Sequence, residues 1–364
     1  AAASERPVLQ TTFNLKADQI REIKPGHALI VKHHNVVEEV EVLKPLEKKS
    51  CSFERIYFSR GTDIKIYEER KKLGALVTPA ILREINHDLH NTVFSYIPNT
   101  AAVAYQGMGE EVNHFCNVIK AEKIVELGEK ITKKQLDEIM LFSPRVETVA
   151  VKDMKLRTFI TQDNQRDDLV GHVYDITYGS IKEGKDKLVI IDDSIVRGTT
   201  LKQSIISILD RLGPTDIIVV SSAPQIRYPD CYGIDMARLG DFIAFKAAIE
   251  LLKETKQESI INQVYKKCKA QESLPKEKVV NFVKEIYEPF SPQQISDKVA
   301  QLVSPKNVKA KVKVLFQTIE NLHAAVPDHL GDWYFTGNYP TPGGNKVVNK
   351  SFINYVEGNS GRAY

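Results

Sequence analysis

The chain has 364 residues, of which 42% are hydrophobic and 27% charged, an ordinary globular composition that excludes disordered and fibrous classes and can bury two modest cores. Lys and Arg total 50 against 47 Asp and Glu, a formal +3, so no strong field points to nucleic acid or an anionic membrane as partner. The cysteines Cys51, Cys116, Cys231 and Cys268 lie far apart with no Cys-x-x-Cys pair, which indicates neither a disulfide framework nor a compact zinc site and fits a reducing cytoplasm. No apolar run approaches the roughly 18 to 20 residues of a membrane span, and the opening AAASERPVLQ lacks the regions of a signal peptide.

In chain order, Gly26 to Leu43 reads as a β-hairpin: an aliphatic run at Ala28 to Val31, a polar turn at His33 to Asn35, then alternation from Val36. The first 50 residues are too few to fold alone and should lean on something else. From Cys51 to about Leu252 apolar strand-like runs alternate with helical stretches, the pattern of an α/β parallel sheet flanked by helices. The expected strands are Val93–Ile97, Val146–Val151, Leu188–Ile191 and Ile217–Val220. Between the last two, Thr199 and Thr200 should cap a helix whose stripe is Leu201, Ile205, Ile208, Leu209 and Leu212, with Gly213-Pro214 as its stop. Lys152 to Gly184 is polar and nearly aperiodic, the character of a surface excursion or an active-site lid. Charged segments to about Glu320 read as helical, and the Gly-, Asn- and Pro-rich tail Trp333 to Tyr364 as loop packed on the body.

The chemistry concentrates in Leu188-Val-Ile-Ile-Asp192-Asp193-Ser194-Ile195-Val196-Arg197-Gly198-Thr199-Thr200. A buried strand delivers two carboxylates at its C-terminal end, where ligands of open α/β sheets bind. The turn that follows opens into a helix N-terminus, whose free N–H groups and hydroxyls suit a phosphate. Two adjacent acids would repel a polyphosphate but suit ribose hydroxyls or Mg²⁺. One acid could merely cap the turn and complement the helix dipole; two are poorly explained that way. No P-loop occurs, and Gly107-Met108-Gly109 lacks the third glycine of a dinucleotide fingerprint.

On these residues the chain resembles the type I phosphoribosyltransferases, and its Ser-Ile-Val-Arg-Gly-Thr-Thr form is similar to that of the glutamine amidophosphoribosyltransferases. Cys51–Arg60 resembles that family's opening strand, Tyr67–Gly74 the helix after it, and Ser222–Pro229 with Tyr232–Met236 the stretch following the phosphoribosyl pyrophosphate (PRPP) strand. The resemblance implies a PRPP fold with a small N-terminal β segment and a helical C-terminal extension. It divides the chain into 1–50, the end of a glutaminase domain; 51–255, the phosphoribosyltransferase domain; and 256–364, the extension and tail. Asp192 and Asp193 then hold ribose hydroxyls and Mg²⁺, Ser194, Ile195, Val196, Arg197, Gly198, Thr199 and Thr200 take the 5′-phosphate, and Pro98, Asn99 and Thr100 form the pyrophosphate loop, with Thr100 a further metal contact. Lys152 and Arg157, ahead of Thr158-Phe159-Ile160, stand at the start of the lid and are the catalytic candidates the resemblance implies; the lid's later half, Leu169 to Ile176, keeps only His172 as a basic candidate.

The activity implied is transfer of the phosphoribosyl group of PRPP to ammonia, normally derived from glutamine, giving phosphoribosylamine and pyrophosphate in purine synthesis. The family's glutaminase nucleophile is a first-residue cysteine, whereas residue 1 here is Ala1, so this chain is expected to use free ammonia. Some family members carry an iron–sulfur cluster on four cysteines; Cys51 and Cys231 fall at or near two of those positions, the other two have no counterpart, and no cluster is expected. A cytoplasmic homo-oligomer without nucleic-acid or membrane partners is the corresponding expectation. The competing reading is a non-catalytic PRPP-binding regulator, against which stands the absence of a helix-turn-helix pattern in residues 1–50.

Overall fold

The computed structural model describes residues 1–32, 37–152, 174–231 and 236–363. A short helix α1 (Arg6–Phe13) precedes strands β1 (His27–Val31) and β2 (Val37–Glu41), which pair antiparallel as the expected hairpin. The body follows with α2 (Ile64–Glu84), β3 (Thr92–Tyr96), α3 (Ala102–Leu127), α4 (Lys133–Leu141), β4 (Arg145–Val146), β5 (Ala150–Lys152), β6 (Tyr174–Ile176) and β7 (Lys187–Asp192). A π-helical turn (Leu201–Ile205) runs into α5 (Ile206–Asp210), and then come β8 (Asp216–Ser221), α6 (Ile243–Glu254), α7 (Ser259–Ala270), α8 (Pro292–Val303), β9 (Lys311–Phe316), α9 (Ile319–Ala325), α10 (Trp333–Thr336) and α11 (Pro342–Val356).

The main sheet has five strands in the order β4-β3-β7-β8-β9, every neighbouring pair parallel. Because side chains alternate along a strand, Leu188 and Ile190 of β7 enter the core with Leu209 of α5, Ala247 of α6 and Val299 of α8, while Val189 and Ile191 join Val77 and Ile81 of α2 and Met108 of α3 on the other face. Both faces are therefore covered, and ligands of such sheets commonly bind beyond the C-terminal ends of the strands. Helices α2 and α3 touch backbone to backbone: a Cβ at Gly74 would lie 1.8 Å from the Ala104 carbonyl oxygen, and one at Gly107 1.8 Å from that of Lys71. Gly107 thus serves helix packing and Gly109 the approach of α3 to Val146 of β4, consistent with the missing dinucleotide fingerprint.

Four segments differ from the sequence expectation. Val146–Val151 is divided, because the Glu147 N–H still bonds the Phe94 carbonyl of the main sheet (2.8 Å) while Ala150–Lys152 turns away to pair antiparallel with β6. Cys51–Arg60 is no strand: it makes one bridge, Cys51 to Gly331, then a π-helical turn over Glu54–Phe58. The charged stretch before Glu320, expected to be helical, includes β9, whose alternating Lys-Val-Lys-Val suits an edge strand; Lys313 there pairs with Glu84 at 2.6 Å. The tail packs on the body but as helices: Pro342 opens α11, and Val348, Phe352 and Ile353 are buried along it.

Candidate active site

Strand β7 ends on Asp192, and the chain turns at once. The Asp193 N–H donates to Asp192 Oδ1 (2.9 Å), and the Ser194 hydroxyl donates to Asp193 Oδ2 (3.3 Å). Just past β8, Ser222 fixes the same backbone, its N–H donating to the Asp192 carbonyl (2.9 Å) and its hydroxyl to the Asp193 carbonyl (3.2 Å). Burial, and then the adjacent negative charge of Asp193, holds the Asp192 carboxyl well above the usual carboxylate range. Burial also raises Asp193, opposed by hydrogen bonds from its neighbours and by the positive charge of Arg70. Burial and mutual repulsion together make two charges on the pair costly, and Arg70 offsets this only in part. Tyr174, raised mainly by burial and further by both acids, stands close enough to feel them.

The turn itself is pinned from behind. Ile195 is buried, and the Val196 carbonyl accepts from the Ile243 N–H at the start of α6 (2.8 Å). Gly198 sits at φ +69°, where a Cβ would come within 2.9 Å of Val303 Cγ1 and 3.2 Å of Ile243 Cγ1, so both conformation and space require glycine. Arg197 is exposed, 4.0 Å from the Asp241 carboxylate. Thr199 and Thr200 open the helix but Thr200 does not cap it with its side chain, and both residues are exposed beside the first-turn N–H groups that a helix leaves unpaired. That corrects the expected capping role and leaves donors at the mouth of the site.

Asp192 through Leu201 line one side of a cavity of about 450 Å³, and Phe53, Tyr57, Phe58 and Met236 line the other. The aromatic wall is held by Arg70 of α2, which is 6% exposed and donates through Nε to the Arg55 carbonyl (2.9 Å) and through Nη2 to those of Ser59 (2.6 Å) and Tyr57 (3.4 Å). Those bonds explain why the segment coils instead of extending. The sequence assigns neither the wall nor Arg70 a role; its one signal is the Phe-Glu-Arg-Ile-Tyr-Phe run of residues 53–58 within Cys51–Arg60, whose three rings share a face only once the segment turns helically.

The other expected residues fall outside this cavity. Pro98 is buried, Asn99 exposed and Thr100 half-buried, and their loop lies beside β7 because the Ile97 N–H bonds the Ile191 carbonyl (2.9 Å); the Pro98–Asn99 peptide is cis. Lys152 ends β5, exposed and opposite Tyr174 in register. Arg157, with Thr158–Ile160 and His172, lies outside the described residues, as do Tyr232–Asp235. Cys51 and Cys231 are half-buried, their thiols pushed up to about 11 and about 12 mainly by burial. Cys116 and Cys268 belong to the cores on opposite faces of the sheet, so the four thiols do not share one site. Among the described residues no group of three or more His, Cys, Asp or Glu side chains converges on a metal position.

No family model matches the chain. Amidophosphoribosyltransferases do: that of Lachancea kluyveri is 29% identical over 271 residues, covering 72% of this chain and 46% of the relative. Those of Escherichia coli and Pseudomonas aeruginosa are each 26% identical, over 69% and 64% of this chain. The chain is a relative of the amidophosphoribosyltransferases. It spans less than half the length of these relatives, 40 to 46%. The glutamine PRPP amidotransferase of Bacillus subtilis, solved with ADP and GMP, shares the fold at a TM-score of 0.53 and 22% identity, over 88% of this chain and 53% of that one. The five-stranded parallel sheet with its flanking helices matches that fold.

Proposed function

We propose that the cavity at the end of β7 binds PRPP with Mg²⁺ and that the chain transfers its phosphoribosyl group to ammonia, as an amidophosphoribosyltransferase of purine synthesis. The observation that carries this reading is the convergence of Asp192, Asp193 and the Ser194–Thr200 turn on one cavity at the C-terminal edge of the sheet. In this reading the two carboxylates accept from ribose hydroxyls, and the turn's N–H groups with Thr199 and Thr200 hold the 5′-phosphate. The C1–oxygen bond to pyrophosphate breaks, the C1–nitrogen bond forms, and the amine releases a proton. Phe53, Tyr57 and Phe58 exclude water from C1 while that happens.

Mg²⁺ fits the acids, because two carboxyls held side by side at the cavity, both raised mainly by burial, offer adjacent oxygen ligands to a hard cation. When bound it would neutralise charge developing on the departing pyrophosphate. Two carboxylates are few protein ligands, which suits an ion that keeps waters and substrate oxygens. Thr100, on the Pro98–Asn99–Thr100 loop, and Lys152, with Arg157 beyond it, are assigned to the pyrophosphate end; the support is the loop's attachment to β7 and the pairing of Lys152 with Tyr174.

We also assign residues 1–50 to the end of a glutaminase-type domain, 51–255 to the transferase domain and 256–364 to its extension. Support for the first comes from the β1–β2 ribbon, whose Val31 and Val37, with Val42 and Leu43 just past β2, are more than half exposed, a poor arrangement for two strands alone. The reading carries no iron–sulfur cluster, and its setting is the cytoplasm, as a homo-oligomer; no helix among the described residues is long and apolar enough to cross a membrane. Calorimetric titration with PRPP tests the site: saturable binding that strengthens with Mg²⁺ supports it, and no heat with or without Mg²⁺ refutes it.

A further inference from the structure

A second cavity, of about 290 Å³, opens at the N-terminal edge of the sheet, the end of the strands away from Asp192. It lies between the segment leading into β3, which carries His87 and His90, and the facing sides of α3 and α4. Its size is near the roughly 300 Å³ at which small-molecule pockets begin, room for one ring and a substituent.

Its lining divides into an apolar body and a positive rim. Leu89 and Cys116 are buried at the bottom, and Ile119 and Phe142 continue the apolar surface. His90 packs on the Phe142 ring, centroids 4.1 Å apart and planes 34° from parallel, so the two rings together form one aromatic side of the cavity. At the rim Lys120 and Lys123 face a single acid, Glu138. Lys120 is engaged, its Nζ donating to the Met140 carbonyl at 3.2 Å and tying α3 to the end of α4. Lys123 is exposed and makes no hydrogen bond or ion pair among the described residues. Both ammonium charges nevertheless act at the bottom of the cavity, where they oppose the rise that burial imposes on the Cys116 thiol.

We propose that this cavity is a binding site for a small aromatic carboxylate, its ring on the Ile119 and Phe142 surface and its carboxylate at Lys123. A neutral ring would leave Lys123 unpaired, and an aromatic amine would meet two ammonium groups against one carboxylate. The site is independent of the PRPP reading, since none of these residues lines the cavity at β7.

Titration of the whole chain with 4-fluorobenzoate, followed by ¹⁹F NMR, tests it, with 4-fluorobenzylamine as the opposite-charge probe. Saturable binding of the carboxylate and weaker binding of the amine are expected. Lys123→Glu should weaken the carboxylate by about tenfold or more and narrow its advantage over the amine. Because Lys123 is exposed, the variant should melt with the wild type; Ile119→Trp, which fills the cavity without touching the charges, should also abolish binding. No saturable binding overturns the proposal, as does equal affinity for the amine, or carboxylate binding that survives both substitutions.

Discussion

Leu188 to Ile191 in β7 and Leu29 to Val31 in β1 are both short aliphatic runs, yet the first is at most 1% exposed at every position and the second is 38 to 66% exposed. Composition does not separate them; what covers them does. β7 has a parallel neighbour on each side and helices on both faces, whereas β1 pairs only with β2. The difference bears on function, because a strand held on all sides can present two like charges at its end, and a two-stranded ribbon has no comparable means of holding them. The acids of β7 stay together because Ser222 and the buried residues behind them fix the backbone while the carboxyls go without full compensation.

Removing the support should have the largest effect. Ile190→Ala in β7 is expected to cost about 2–5 kcal/mol, read as a lowered denaturant midpoint. A loss under about 1 kcal/mol would mean that β7 is not the rigid frame described here.

Next comes the charge that β7 presents. Asp192→Asn with Asp193→Asn should weaken PRPP by about 100-fold while stabilising the unliganded protein. The sign follows from the raised carboxyl pKa values: the folded chain holds these protons more tightly than the unfolded chain does. Stability is therefore lost as pH rises from the ordinary carboxylate range through the folded values, and the full penalty applies above them. The double Asn variant should flatten that part of the stability–pH curve, which thermal melts across pH would show. An unchanged curve would mean that the acids are already compensated.

A smaller effect is expected at Gly198. Gly198→Ala meets both a positive φ and the Val303 side chain and should cost about 1–3 kcal/mol, with weaker phosphate binding. In the exposed ribbon, Val31→Ala should change stability by no more than about 0.5 kcal/mol in this chain. A larger loss would show that the ribbon is packed against something here.

The same contrast explains what was legible in the sequence. An apolar run ending in two acids and a Gly-Thr turn has one reading in an α/β chain, so β7, its turn and the following helix were legible together. β9 was hidden because an edge strand takes lysines at alternate positions, and those lysines read as a helix's polar face. The helix α11 was hidden by Gly343, Gly344 and three asparagines at positions 345, 349 and 354; Asn349 proves to be buried and donates to the Val280 carbonyl at 2.8 Å. The aromatic wall depends on Arg70 reaching back to three carbonyls, a tertiary arrangement with no local signature.

Pyrophosphate release by the purified chain, given PRPP, Mg²⁺ and an ammonium salt, tests the central claim most directly. The account predicts release that saturates with PRPP, rises with ammonium and is lost in the double Asn variant. Saturable PRPP binding with no release at any ammonium concentration would contradict it, and would show the cavity at β7 to be a binding site without turnover.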